Sequence, residues 1–205
     1  MSSSKEHWDN VYTNKPHEKL GWYEKDLSPS IELLNLADLK PSSRILNVGA
    51  GSTVLIDYLL EQGYENLIAT DISEVSLQKL ESRAGSKHVE YIVDDLTHPN
   101  KLNHIAAVDL WIDRAVLHFF TEEKDQKTYF DLLKKLISPK GFVIIAEFNL
   151  EGALKCSGLD VCRYDTQMIA QGLGSEFELI KNFDYTYTMP SGDTREYIYT
   201  LFQRK

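Results

Sequence analysis

Three groups of residues have the types and spacing to hold a small polar ligand. The first is Asn47-Val48-Gly49-Ala50-Gly51, two glycines one residue apart, entered from the apolar run 44–48. Glycine lets a backbone approach a ligand closely, and a helix start just beyond offers unpaired N–H groups. The second is Asp71, twenty positions after Gly51, which ends the apolar run 67–70. A carboxylate at a strand tip accepts hydrogen bonds from both hydroxyls of a ribose. The third is Asp94-Asp95, closing the strand-like run 89–93 and placed to accept from an exocyclic amine such as that of adenine. One glycine turn and two acid-tipped strands, in that order, make a pocket for an adenosine-containing cofactor. Asp94 reads as a solvated neighbour of Asp95, and a one-residue slip of the strand end would reverse which of the two meets adenine.

A fourth group, Asp113-Arg114 with His118 a turn later, bears on the reaction itself. Arginine is a permanent cation; it raises the thiolate fraction of a bound thiol or holds an anionic group. An amine or hydroxyl substrate wants a base instead, and His118 is the candidate, with an unperturbed pKa of about 6.5. Two plainer readings stand beside these. Asp113-Arg114 also reads as an internal ion pair, and His118, followed by Phe119-Phe120, as a partly buried histidine with its bonds satisfied.

These groups must be carried by alternating strands and helices. Leu55, Ile56, Leu59 and Leu60 share a helix face after the glycine turn, and Gly63 stops it. Ser73 caps a helix that Gly85 ends. Thr121-Glu122-Glu123 opens another, with Tyr129, Leu132, Leu133, Leu136 and Ile137 on its buried side, and Ser138-Pro139-Lys140-Gly141 turns into a strand at 142–148. The last third differs: a loop over 150–165, a helix near 166–172, then β-patterned runs 177–189 and 194–202 flanking Pro190-Ser191-Gly192-Asp193, a hairpin signal. Before all of this, 5–14 reads as a short amphipathic helix with Trp8 and Tyr12 on one face, Trp8 as a plug. Trp22 and Tyr23 in the loop 15–26 read as a lid, and Ser28-Pro29 opens a further helix. The fold expected is α/β: a Rossmann-like, doubly wound, mostly parallel seven-stranded sheet ending in an antiparallel hairpin. One domain over 1–205 is expected, with 1–40 as N-terminal helices and lid and 41–205 as the cofactor-binding core.

Composition narrows the partners. At 205 residues, 42% apolar and 26% charged, the chain reads as one globular domain with a full core. Lys plus Arg number 22 against 31 Asp plus Glu, a net charge of −9, and no basic run occurs. Phosphate contacts need clustered cations, so nucleic acid and anionic membrane are not expected as partners. Cys156 and Cys162 match no zinc spacing, no metal site is expected, and two cysteines suit a reducing compartment. No apolar run is long enough to span a membrane, and the start Met1-Ser2-Ser3 lacks a leader core, so the expected location is cytoplasmic.

The residues carry a family resemblance. From Trp8 to Arg204 the chain resembles the class I, seven-stranded S-adenosylmethionine-dependent methyltransferases. Asn47-x-Gly49-x-Gly51 stands at that family's first motif, with Asn47 where Asp or Glu is usual and Thr53 where a third glycine is usual. The resemblance implies S-adenosylmethionine as cofactor, held by Tyr12, Trp22, Asn47, Gly49, Ala50, Gly51, Asp71, Ile72, Asp95, Leu96 and Asp113, with the Leu96 N–H facing adenine. Arg114 and His118 are the catalytic residues expected, Arg114 facing the substrate and His118 as the candidate base. More loosely, Trp111-Ile112-Asp113-Arg114-Ala115 and the Trp22 loop are similar to the thiopurine and thiol methyltransferase group. That implies a small-molecule methyl acceptor, a thiol or other soft nucleophile. A protein lysine acceptor, and a binding module without catalysis, are the alternatives.

Overall fold

In a computed structural model, which describes residues 4–205, the expected alternation is realised. In chain order the elements are α1 (Ser4–Asn14), α2 (Ser28–Leu34), β1 (Arg44–Val48), α3 (Leu55–Glu61), β2 (Asn66–Asp71), α4 (Glu74–Ala84), β3 (Val89–Val93) and β4 (Val108–Arg114). There follow α5 (Glu123–Leu136), β5 (Ile137–Phe148), β6 (Lys155–Cys156), β7 (Leu159–Asp160), α6 (Thr166–Leu173), β8 (Phe177–Thr188) and β9 (Thr194–Arg204). Seven strands form one sheet in the order β3-β2-β1-β4-β5-β9-β8. The first five are parallel, and the terminal hairpin joins β5 antiparallel through Phe142↔Gln203 to Phe148↔Tyr197. Strand order reverses between β1 and β4, and a crevice opens beyond the carboxyl ends of strands at such a switch point. The absent leader read at the start falls in part on residues 1–3, outside the described residues. Among the described residues no helix is long and apolar enough to cross a membrane.

Central strands are apolar on both faces because helices cover both. Ile45 faces one layer with Leu33 of α2, Ile56 of α3 and Leu80 of α4. Its neighbours Leu46 and Val48 face the other, with Tyr129 and Leu133 of α5 and Ile169 of α6. Ser73 caps α4 by accepting from the Ser76 N–H at 3.2 Å. Two local readings need correction. Residues 138–141 do not precede the last parallel strand but lie within β5, whose register against β4 shifts between Val108 and Leu110. The loop over 150–165 contains the β6–β7 hairpin, turned by Ser157 and Gly158 at φ 51° and 80°. Positive φ at both turn residues is what a two-residue hairpin needs to match strand twist.

Candidate active site

The strand tips converge as expected. Gly49 after β1, Asp71 at the end of β2, Asp95 and Leu96 after β3, and Arg114 at the end of β4 line one cavity of about 220 Å³, together with Ile72, Tyr12 and Trp22. Asn47 and Ala50 line a smaller neighbour of about 50 Å³, with Trp22, Gly49 and Arg114 common to both. Gly51, Asp113 and His118 border neither.

Asp71 is 7% exposed and organises the turn around it. One carboxylate oxygen accepts the Gly51 N–H and the other the Ser73 N–H, both at 2.8 Å. Burial outweighs these bonds and lifts its pKa to about 6, so it is ionised at neutral pH with lone pairs left to offer. Asp95 accepts from the Thr97 N–H and hydroxyl at 2.8 and 2.7 Å. Asp94 is not merely solvated: it takes the N–H groups of Asn100 and Leu102 and so shapes the loop beyond β3.

The glycines also make room for neighbouring side chains. Both have positive φ, 55° at Gly49 and 54° at Gly51. A Cβ on Gly49 would lie 2.0 Å from a Val116 methyl, and one on Gly51 would lie 2.3 Å from the Tyr12 hydroxyl oxygen. The missing side chains thus make room for two residues that border the cavity. Thr53, at the third-glycine position, accepts the Leu55 N–H at the start of α3.

Arg114 does not pair with Asp113. Successive strand residues face opposite ways, and these two separate accordingly. Arg114 Nε lies 2.8 Å from Glu24 Oε1 and 3.0 Å from the Tyr199 hydroxyl, while Nη1 donates to the Trp22 carbonyl at 3.0 Å. The guanidinium lies over the rings of Tyr187 and Tyr197, 4.8 and 4.7 Å from their centroids. Asp113 points to the α5 side, where it accepts from Tyr129 at 2.6 Å and from the N–H groups of Val116 and Leu117. Its carboxyl is held well above the usual range by burial and by Glu147.

His118 is likewise displaced from the expected place. The turn 117–119 sends it inward, fully buried, while Phe119 and Phe120 face the cavity. Its Nδ1 lies 2.7 Å from Glu147 Oε2, off the axis of a well-formed hydrogen bond, and Nε2 has no partner. A base must reach the proton it takes, and here the ring lies beneath the floor. Trp8 is no simple plug: it borders the cavity, 5.5 Å from Trp22 and 4.9 Å from Phe119 between ring centroids. Tyr23 is more anchor than lid, its carbonyl accepting from the Tyr187 hydroxyl.

Glu24, Glu147, Phe119 and Tyr199 are the residues that sequence reading missed. An acid inside the apolar run 142–148 was a usable signal for Glu147, since buried carboxylates occur only with partners. Glu24 gave none.

Residues 46–145 match a family model described as a methyltransferase domain. Among curated relatives, the chain is 28% identical over 96 residues to the eEF1A lysine and N-terminal methyltransferase of Mus musculus, covering 46% of this chain and 14% of that protein. The chain thus spans a small part of that relative's length. A SAM-dependent methyltransferase from Anabaena variabilis has the same fold, with a TM-score of 0.79 at 13% identity over 98% of this chain and 93% of that one. So has the Burkholderia thailandensis 1,6-didemethyltoxoflavin-N1-methyltransferase, solved with 1,6-didemethyltoxoflavin and S-adenosylhomocysteine, with a TM-score of 0.68 at 19% identity over 99% and 84%. The core that holds the cleft thus matches a methyltransferase domain over residues 46–145, and the chain shares the fold of S-adenosylmethionine-dependent methyltransferases.

Proposed function

We propose that this chain transfers the methyl group of S-adenosylmethionine to a small-molecule acceptor whose reacting atom arrives as a neutral or self-ionised nucleophile. The observation that carries the reading is the cleft wall: aromatic rings from Trp8, Trp22, Phe119 and Phe120, with Arg114 as its one arginine or lysine among the described residues, already balanced by Glu24.

The polar atoms fit the cofactor. Asp71 offers acceptors to the ribose, and Asp95 with the Leu96 N–H offers an edge to adenine. In the smaller cavity two buried atoms have no partner, the acceptor Asn47 Oδ1 and the donor Arg114 Nη2. One acceptor and one donor match an ammonium and a carboxylate, the amino-acid end of the cofactor, and unpaired buried polar atoms are costly unless a ligand satisfies them. Bound there, the cofactor supplies a methyl group on a sulfonium for in-line displacement. The residues of this chain position and exclude: Gly49 and Ala115 border the reacting region, and Trp8 and Trp22 keep water away.

Arg114 raises the thiolate fraction of a bound thiol only if its charge is free. With Glu24 beside it that help is withdrawn, so a thiol acceptor reacts through its own ionised fraction, and an aromatic or unprotonated amine needs no cation at all. His118 takes no proton from either. The second reading, a lysine side chain of a protein, is supported by the relative's name and by the carboxylates Asp94, Asp95 and Asp125 beside the cleft, which suit a cationic segment.

A labelled-methyl assay separates the readings. The chain is incubated with small thiols, amines and carboxylic acids, and in parallel with a lysate. Label in a small thiol or amine is the expected result; label confined to a protein band overturns the small-molecule reading.

A further inference from the structure

β5 carries a single acid in its apolar half, Glu147, and it is fully buried beneath the cleft. Its Oε1 accepts the N–H groups of Leu117 at 2.9 Å and Val116 at 3.2 Å, and its Oε2 lies 2.7 Å from His118 Nδ1. One carboxyl group thus faces three consecutive residues of the segment that leaves β4. That segment starts under strain: Ala115 has φ of 65°, a region that residues with a Cβ rarely enter. The Ala115 N–H is tied to the carbonyl of Ala146, the residue before Glu147. Asp113 shares the load from β4, accepting the same two N–H groups.

Glu147 lines neither cavity, but Val116 and Phe119, which it holds, line the larger one. Val116 packs its methyl into the space left by the absent side chain of Gly49. On the other side the His118 ring lies 4.4 Å from that of Phe119, which meets Trp8 at 4.9 Å. Two walls of the cleft, the glycine turn and the aromatic cover, are therefore referenced to one side chain anchored in the centre of the sheet. We propose that Glu147 is a positioning residue for methyl transfer: it fixes residues 115–119, and through Val116 and Phe119 it sets the width of the cleft. This rests on reading the cleft as the S-adenosylmethionine site. A carboxyl group suits the task because one of its oxygens accepts two hydrogen bonds while the other faces the imidazole nitrogen.

Calorimetric titration with S-adenosylhomocysteine tests it, alongside near-ultraviolet circular dichroism of the Trp8–Trp22–Phe119 cluster. Glu147→Leu removes both acceptors and is expected to weaken binding about tenfold or more, the loss of one or two well-made hydrogen bonds, and to change the near-ultraviolet spectrum. Glu147→Gln keeps the length and one acceptor and is expected to stay within about threefold of wild type. Glu147→Asp keeps the carboxyl group but draws the oxygens back by one methylene; it is expected to weaken binding by more than about threefold. Should Glu147→Leu fail to fold, Glu147→Asp decides. The proposal is overturned if Glu147→Asp, or a folded Glu147→Leu, binds like wild type with an unchanged spectrum, or if Glu147→Gln loses as much as Glu147→Asp. Failure of wild type itself to bind would instead remove the reading of the cleft.

Discussion

At the β4 tip one arginine meets one glutamate, and almost everything about the acceptor turns on that contact. Side chains of Arg114 and Glu24 are 10% and 7% exposed, so the pair lies out of water. Burial raises the Glu24 carboxyl while Arg114 pulls it back down. Removing one partner of a buried pair leaves the other charge stranded, and Glu24→Leu is expected to destabilise the chain by about 3–5 kcal/mol. Replacing both, with Arg114→Met added, should recover much of that loss in thermal melts while abolishing the donor at Nη2. Asp71 makes a second residue-level prediction. Asp71→Asn keeps the shape but removes the charge, and should weaken S-adenosylhomocysteine binding by about 1.5–3 kcal/mol in calorimetry; unchanged affinity would transfer the ribose role to another acid. Asp71, Gly49 and Asp95 were legible in the sequence because type, strand-end position and spacing together define them. Glu24 was not, since its role depends on a loop folding back onto a strand 90 positions away. His118 misled because sequence shows that a histidine is near a strand end and does not show which way a turn points it.

The elements were easier to read than the side chains they carry. Periodicity located the strands β1 to β4 and the helices α3 to α6 within a few residues, since both faces of the sheet demand apolar residues at regular positions. It failed where the chain is held by tertiary pairing alone, as in the two-residue strands β6 and β7. The Ser157-Gly158 turn was their only local mark, and Ser157 rests 3.4 Å from His7 of α1. That contact makes α1 and the β6–β7 hairpin two edges of one cover. α1 is fastened to α4 by Asp9 accepting from Ser73 at 2.7 Å and by Lys79 reaching the Tyr12 carbonyl. Gly51→Ala should prise this cover open: the new methyl strikes the Tyr12 hydroxyl, and φ of 54° is strained for alanine by about 1–2 kcal/mol. Expected are weakened S-adenosylhomocysteine binding and faster proteolysis within residues 4–14, with the sheet intact by far-ultraviolet dichroism. A variant as resistant as wild type would show that Tyr12 does not hold the helix down.

Across the whole molecule, buried carboxyls set the response to pH. Burial lifts Glu147 to about 8 and Asp71 to about 6, and holds Asp113 well above the usual range. Each keeps its proton in the folded chain at a pH where the unfolded chain has lost it. Between about pH 4.5 and 8 the folded state therefore binds more protons, and stability falls as pH rises. Asp9 and Asp131 are shifted downward, so their contribution changes at more acid pH. Melting temperature should decline from pH 5 to pH 8, and Glu147→Gln should flatten the decline; a rise over that interval would contradict the assignment.

The clasp at Arg114 also joins segments that lie far apart along the chain. Glu24 and the Trp22 carbonyl come from the opening quarter of the chain, and Tyr187, Tyr197 and Tyr199 from the last twenty residues, yet all close on one guanidinium. A nascent chain emerging from the ribosome cannot complete this grip until β9 is made, so the pocket matures well after its glycine turn is synthesised.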